Sequence, residues 1–351
     1  MVPLPEMIAN FAVTYKCNSR CKTCSIWKYE SNQRELAINE IRDFLTSNKE
    51  LFRKIKTIQI TGGEPYLRDD LDQVVKVIEE KLPVKTIWIA TNGLLPDKIR
   101  EITEQILQNL SKTRLGVTIS LDGSKLEHDN QRGINGSFEK ALQTLEGLSE
   151  LSKQFSEFSL SVGMTLTPSN QHSIEHVKVI ADMYKASFSL RPINTSDFYY
   201  RNKAIREDFD KETLRSSLRF IGEYYVKSKG FLRSLTNLRY LEGVERYARG
   251  TRIRQICSAA SNSFFMDPYG TIYPCIVMNE PLGNIRKETF SELWASRKAW
   301  NTRGRIQSGL CPGCWVECET FRDIAKDKIG LVTTACRMLF IKYLNISQFF
   351  L

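Results

Sequence analysis

Long apolar runs are absent from this 351-residue chain. Without a run of about 18 or more apolar residues, no α-helix is expected to span a membrane. The opening residues, MVPLPEMIANFAVTYK, lack the basic start and apolar stretch of a secretory signal peptide, so a cytoplasmic chain is expected. No block of Lys/Arg with interleaved aromatics occurs, which argues against a nucleic-acid-binding module. Hydrophobic residues at 42% and charged residues at 26% exclude global disorder. The one stretch that raises the question of membrane contact is the apolar tail MLFIKYLNISQFFL, and a helix packed on the core is expected there.

Cysteine is abundant, but it is missing from most of the chain. The nine cysteines stand at 17, 21 and 24, at 257 and 275, at 311, 314 and 318, and at 336. An odd count, tight spacing and no export signal argue for metal or cluster ligation rather than disulfides. The first group, CNSRCKTC, supplies three thiolates where a tetrahedral zinc or an iron–sulfur cube takes four ligands. The later pair CPGC (311–314) suits an iron–sulfur cluster or a zinc ion that staples a small domain. Cys336 by itself reads as a buried thiol, although its distance from Cys318 also fits a cluster ligand.

Charge is uneven. Residues 1–196 carry 25 Lys/Arg against 24 Asp/Glu, and residues 197–351 carry 25 against 16. The basic second half is either a solvated surface or one that meets an anionic substrate or partner.

The first 195 residues alternate between two periodicities. Strands are expected at 10–15, 57–61, 86–91, 115–121, 160–166 and 187–193, and helices at 35–48, 70–82, 96–110, 138–151, 173–186 and 210–228. Alternation of this kind makes right-handed βαβ units and a parallel sheet. Six units fall short of a closed eight-stranded barrel, so the expected fold is a partial (β/α)6 TIM-like barrel rather than a flat doubly wound sheet. The expected boundaries are a core over 1–228, a helical linker over 229–256 and a small Cys-rich domain over 257–351. From 257 onward short turns and cysteines dominate, with one clear helix at 291–300, so metal ligation is expected to substitute for a core.

In parallel α/β sheets the site forms on the loops after the C-terminal strand ends. Those loops read KCNSRCKTCSIW, TGGEP (61–65), ATNG (90–93), SLDG (120–123), TLTPSN (165–170) and RPIN (191–194). Together they describe a rim of small polar groups and backbone donors beside a cysteine triplet.

The triplet followed by TGGEP at the next strand end resembles the radical S-adenosylmethionine (radical SAM) superfamily, over roughly the first 195 residues. The resemblance implies a [4Fe–4S] cluster held by Cys17, Cys21 and Cys24, with S-adenosyl-L-methionine chelating the fourth iron. Gly62, Gly63 and Glu64 would receive the methionine amino group, Asn92 and Ser120 would meet the ribose or carboxylate, and Arg132 would pair with the carboxylate. Asn170 and Arg191 are further candidates on the far rim, where solvated loop residues are the alternative. The residue before the third cysteine, often aromatic in the family, is Thr23 here; Ile26 or Trp27 would cover the adenine instead, or Trp27 belongs to the core.

Cys257, Gly270 and Cys275 followed by CPGC resemble the SPASM or twitch extension of these enzymes, which binds one or two auxiliary [4Fe–4S] clusters. The region holds six cysteines: Cys257, Cys275, Cys311, Cys314, Cys318 and Cys336. Two cubes ligated only by thiolates would need eight. The first expected ligand set is Cys257, Cys275, Cys311 and Cys314.

The family's chemistry implies an oxidoreductase. A one-electron donor such as a flavodoxin or ferredoxin reduces the cluster, S-adenosyl-L-methionine is cleaved to methionine and a 5′-deoxyadenosyl radical, and that radical abstracts a substrate hydrogen. An auxiliary cluster would assist oxidation or bond formation. The expected substrate is a peptide or protein. Against it, the chain begins almost at its first strand, with no room expected for an N-terminal peptide-docking domain; a separate docking protein would answer that objection. The alternative is a phosphorylated small molecule (a sugar, nucleotide or lipid precursor), which the basic second half favours; a GTP cyclase is discounted because its Gly-Gly tail is missing. A zinc-binding nucleic-acid module is the remote alternative.

Overall fold

A computed structural model of the chain describes residues 6–202, 208–228, 230–251 and 257–344, with side chains as far as 338. In chain order the elements are β1 (Met7–Thr14), α1 (Ile38–Ser47), α2 (Lys49–Phe52), β2 (Ile55–Gly62), α3 (Leu71–Lys81), β3 (Thr86–Thr91), α4 (Pro96–Asn109) and β4 (Arg114–Ser120). They continue with α5 (Lys125–Arg132), α6 (Ser137–Gln154), β5 (Phe158–Leu166), α7 (Ile174–Met183), β6 (Ser187–Pro192), α8 (Lys211–Ser228) and α9 (Phe231–Ala248). The last are β7 (Ser263–Met266), β8 (Thr271–Tyr273), β9 (Gly283–Asn284), α10 (Phe290–Ala295), α11 (Arg297–Gln307), α12 (Glu317–Ile324) and α13 (Lys328–Leu344).

All six expected strands form, and they lie side by side in chain order, each parallel to the next. The result is the partial (β/α)6 barrel, with helices over its outer face. Alternation along a strand sends one set of side chains outward and the next inward. In β1, Phe11 and Val13 join the outer core beneath the helices, while Ala12 faces an inner aromatic cluster. On the helices the apolar spacing does the same: in α4, Pro96 begins the first turn, and Ile99, Thr103, Ile106 and Leu107 are buried against the sheet.

Helix α5 was not foreshadowed by periodicity, since KLEHDNQR is almost entirely polar. Its ends define it instead. Glu127 accepts hydrogen bonds from the Ser124 N–H at 2.8 Å and the Ser124 hydroxyl at 2.7 Å. Gly133, at φ 66°, closes the C-terminus in the left-handed region. A Cβ at Gly133 would stand 2.4 Å from the Arg20 carbonyl oxygen, so glycine also lets the first cysteine loop lie against this helix end.

The region after 257 differs from expectation. It has a core to share, because it joins the main sheet: β7 pairs in parallel with β1, from Ile8↔Ser263 to Phe11↔Met266, and β8 and β9 continue antiparallel. Phe264 packs outward among Phe11, Phe52 and Phe290, and Phe265 packs inward against Tyr199 and Phe198. The single helix expected at 291–300 is two. Ser296 is extended, and its hydroxyl accepts the Ala299 N–H at 3.1 Å, ending one helix and capping the next. Helix α13 packs on α9 and carries the start of the apolar tail, of which 345–351 lie outside the described residues. Among the described residues no helix is long and apolar enough to cross a membrane.

Trp315, directly after Cys314, fastens the cysteine-rich segment to the rest. It is 3% exposed, donates its indole N–H to the Tyr240 carbonyl at 3.0 Å, and stacks on the Tyr240 ring. Its backbone N–H reaches Asn194 beyond β6 at 3.0 Å. Gly243 on α9 leaves room for the ring, since a Cβ there would lie 1.8 Å from Trp315 Cζ2. Gly243→Ala is therefore expected to lower stability by roughly 2 kcal/mol, by forcing the ring from its seat. A shift of the urea midpoint measures this, and an unchanged midpoint contradicts the packing described.

Candidate functional site

The six strand-end loops meet on one rim, where hydrogen bonds join them. The backbone N–H groups of Gly63 and Glu64 donate to the carbonyls of Thr14 and Lys16, both at 2.8 Å. This approach needs glycine: a Cβ on Gly62 or Gly63 would fall 2.1 Å from the Thr14 or Lys16 carbonyl oxygen. The two glycines thus bring β2 against the β1 backbone just before the cysteine loop.

Glu64 is fully buried. One carboxylate oxygen accepts from Tyr66 N–H at 3.2 Å and Thr91 Oγ1 at 2.9 Å, and the other accepts from Asn92 N–H at 2.7 Å. Burial pushes the carboxyl up to about 7, and the Asn92, Thr91 and Tyr66 donors act against that rise. Asn92, so placed, extends its amide toward the first loop, 2.8 Å from Asn18 Oδ1 and 4.0 Å from Cys17 Sγ.

On the other side of the loop stands Arg132, held by two acidic neighbours. One guanidinium nitrogen is 2.6 Å from Asp122, and another is 3.8 Å from Cys21 Sγ. Burial works against its charge, but Asp122 and the Cys21 thiol outweigh it and hold the pKa above its usual value. The Arg132 and Gln131 carbonyls accept from the N–H groups of Arg20 and Lys22, at 3.0 and 2.8 Å. From the third side, Asn202 donates to the Thr23 carbonyl at 2.8 Å, and Ser25 N–H donates to the Tyr200 carbonyl at 2.7 Å.

The three thiols of Cys17, Cys21 and Cys24 are half-buried and form no disulfide. Burial raises Cys17 to about 11 and Cys24 to about 12, and the neighbouring thiols add to both rises. Crowded thiols that are costly to ionise become good ligands once a cation is bound, because the metal deprotonates them. A three-thiolate set on a single loop fits an iron–sulfur cluster with an iron left for another ligand.

The remaining sequence candidates divide. Ser120 is half-buried at the end of β4. Asn170 is not a solvated loop residue. It is 1% exposed, and its amide donates to the carbonyls of Asp122 at 2.7 Å and Thr165 at 3.0 Å while its oxygen accepts Thr167 N–H. Arg191 is solvent-accessible, with Nε 3.2 Å from Thr165 Oγ1. Trp27 is not core; it is half-buried between the cations of Arg20 and Lys28, and Ile26 is the buried one of the pair.

Several residues of the rim were not singled out in the sequence. Asp122, 0% exposed, accepts Thr165 N–H at 2.8 Å besides pairing with Arg132. The Tyr199 hydroxyl bonds Thr61 at 2.8 Å and Gly62 O at 3.3 Å. The signal for Asp122 was its place in SLDG, an acid at a strand end; Tyr199 and Asn202 lie in an irregular segment without any periodic signal.

The second cysteine set assembles across the sheet extension. Cys257, Cys275 and Cys311 pack on one small cluster with Ala259, Ala260, Met278 and Ile306. Cys314 and Cys318 both lie within electrostatic range of Cys275. Burial raises the thiols of Cys257, Cys275, Cys314 and Cys318, Cys275 to about 12. Beside Cys257 stand the carboxylates of Glu319 and Asp323, all three ligand atoms within 4.8 Å of one another. Cys336 is neither buried nor among these neighbours, but exposed on α13.

Between the two cysteine sets lies a cavity of about 730 Å3. Lys22 and Thr23 of the first loop, Thr167 and Ile193 of the strand ends, and Cys311 and Cys314 of the second set line it.

With this geometry established, three comparisons are informative. Residues 11–178 match the radical SAM superfamily, and residues 257–318 match the SPASM iron–sulfur cluster-binding domain. The antilisterial bacteriocin subtilosin biosynthesis protein AlbA of Bacillus subtilis is 25% identical over 334 residues, covering 90% of this chain and 68% of that protein. The AdoMet-dependent heme synthase of Methanosarcina barkeri is 24% identical, covering 86% and 85%. The fold matches the crystal structure of Streptococcus suis SuiB bound to precursor peptide SuiA, with a TM-score of 0.62 at 17% identity, over 86% of this chain and 67% of that one.

His128 offers a test of the rim. Its Nδ1 accepts the Asp122 N–H at 3.1 Å, and burial, with Arg132 nearby, holds it neutral with a pKa of about 4. An unfolded chain takes up that proton near pH 6.5, so the contribution of neutral His128 to stability is full above about 6.5 and falls as pH drops toward 4. His128→Asn, which keeps an acceptor, is expected to flatten that slope. Urea midpoints of both proteins across this range measure it, and parallel slopes would refute the burial of a neutral imidazole.

Proposed function

We propose that this chain, which belongs to the radical SAM superfamily and carries a SPASM iron–sulfur cluster-binding domain, is a maturase acting on a peptide or protein substrate. The observation that carries the reading is the cavity that reaches from Lys22 and Thr23 of the first cysteine loop to Cys311 and Cys314 of the second set. Its charged side chains are Lys22, Asp208 and Arg249, and its lining otherwise mixes apolar groups with neutral amides and hydroxyls, among them Asn130, Gln131, Thr167, Ser169 and Thr195. Such groups match the alternating donors and acceptors of a peptide backbone, whereas a phosphate pocket converges cations. AlbA, from bacteriocin biosynthesis, and the fold of SuiB, solved with a precursor peptide, support the same substrate class.

The radical SAM domain implies a [4Fe–4S] cluster with S-adenosyl-L-methionine, and the SPASM domain implies auxiliary iron–sulfur clusters. When bound, the first pair supplies reductive cleavage of the cofactor and hydrogen-atom abstraction. In our reading Cys17, Cys21 and Cys24 hold that cluster. Arg132 meets the cofactor's carboxylate, and Asn92, Ser120 and the Gly62–Glu64 turn meet its remaining polar groups. Asp122 aligns Arg132 by ion pairing, and the inner aromatic residues around Cys17 and Cys24 keep water from the loop. Cys257, Cys275 and Cys311 on one packed cluster, with Cys314 and Cys318 within electrostatic range of Cys275 and Cys336 exposed on α13, support a single auxiliary cluster. A cytoplasmic location and a flavodoxin- or ferredoxin-type electron donor complete the proposal.

A second reading, the same chemistry on a phosphorylated small molecule, is favoured by the basic second half of the chain. Deuterium transfer separates the two. A peptide deuterated at the modified carbon is expected to label 5′-deoxyadenosine, and label arriving only from phosphorylated small molecules would overturn the peptide reading. Anaerobically purified protein is expected to form 5′-deoxyadenosine on reduction, and replacing Cys17, Cys21 and Cys24 by Ala is expected to abolish it. Iron retained by that variant reports the second site; stoichiometric zinc without acid-labile sulfide in the unaltered protein sinks the whole assignment.

A further inference from the structure

The positive charge of the second half is concentrated. Residues 229–256 carry seven Lys/Arg against two Asp/Glu. Three of these, Arg239, Arg246 and Arg249, join Arg215 and Arg337 in lining a cleft of about 390 Å3 between α8, α9 and α13. Three carboxylates share the space. Glu245 takes Arg215 at 2.8 Å and Arg249 at 3.2 Å; Glu242 takes Arg239 at 2.8 Å and Arg337 at 3.3 Å; Asp327 takes a second nitrogen of Arg239 at 2.7 Å. Arg246 has no side-chain partner among the described residues.

Five guanidiniums against three carboxylates leave the cleft with two positive charges in excess. Each guanidinium has five N–H donors, and the shared carboxylates leave many of them unspent. Glu242, 7% exposed, is a buried brace rather than a competitor for ligand, so the arginines around it are held in place before anything binds. The cations also form two groups, Arg215–Glu245–Arg249 and Arg239–Glu242–Arg337, and do not converge on one point. An extended ligand carrying several carboxylates fits that layout better than a single phosphate does.

One residue joins this cleft to the proposed site: Arg249 lines both the arginine cleft and the cavity between the two cysteine sets. We propose that the cleft docks an acidic segment of the peptide substrate, and that the segment to be modified continues past Arg249 into the cavity. This rests on the peptide reading above. It gives the basic second half a role in substrate recognition, at a distance from the reacting atoms.

The test uses the full reconstituted chain and three probes: a fluorescently labelled Glu/Asp-rich 12-residue peptide, a Lys/Arg-rich peptide of the same length, and ATP as an unlabelled competitor. The acidic peptide is expected to bind, the basic one not, with affinity falling about tenfold from low to physiological salt as screening sets in. Arg246→Glu, an exposed and unpartnered position, is expected to weaken the acidic peptide about tenfold. Arg337→Gln serves as a second variant that removes charge without reversing it, and a smaller loss is expected. Equal binding of the two peptides, or affinities unaltered in both variants, overturns the proposal. Displacement by ATP at equal charge concentration does so too, identifying a phosphate site. If deuterium still passes from a peptide to 5′-deoxyadenosine while the acidic probe fails to bind, the docking cleft is wrong and the peptide reading stands.

Discussion

Asp122 has no exposure to solvent, and burying a lone carboxylate costs several kcal/mol or more. The structure offsets that cost with Arg132 on one oxygen and Thr165 N–H on the other, while the Asp122 carbonyl accepts Asn170. Three consequences follow from this single arrangement. The end of β4 is tied to the end of β5. Helix α5, too polar to be held by an apolar face, is anchored through Arg132. And the guanidinium is left pointing at Cys21, with its backbone carbonyl fastening the cysteine loop. Breaking a buried pair of this kind exposes an uncompensated charge, so the rim is held together electrostatically as much as by packing.

The other half of the site depends on continuity of the sheet. A cysteine-rich segment with few apolar residues cannot easily make its own core, yet here it borrows one. Strand β7 adds to the free edge of β1, and its alternating Phe264 and Phe265 reach the outer core and the inner aromatic cluster in turn. Trp315 then pins the far end, fixing Cys314 beside the loop after β6 and beside α9. Lys22 and Thr23 of the first cysteine loop and Cys311 and Cys314 of the second set therefore line one cavity, with Cys314 held by a buried indole next to it.

Charge is partitioned along the same route. Three charged side chains, Lys22, Asp208 and Arg249, line the cavity beside the second cysteine set, among apolar and neutral polar groups. The arginines gather outside it, beyond Arg249.

Much was legible in the chain alone: the six strands, the helices between them, the loops that share one rim, and the three cysteines gathered on the first of those loops. Each depends on residues close in sequence, whose spacing fixes which face is apolar or which ligands one loop can offer. Helix α5 escaped notice because its signal lies in caps rather than in an apolar stripe. The break at Ser296 escaped for a related reason, since a single capping hydroxyl outweighs a continuous apolar pattern. Tertiary structure alone decided that Gly62, Gly63 and Gly133 serve contacts with neighbouring backbone, and that Asn170 is consumed by its own scaffold. It also decided that Cys336 is exposed while Cys257, Cys275 and Cys311 share one packed cluster. Those outcomes depend on groups far apart in sequence and brought together by the sheet, so spacing along the chain carries no trace of them.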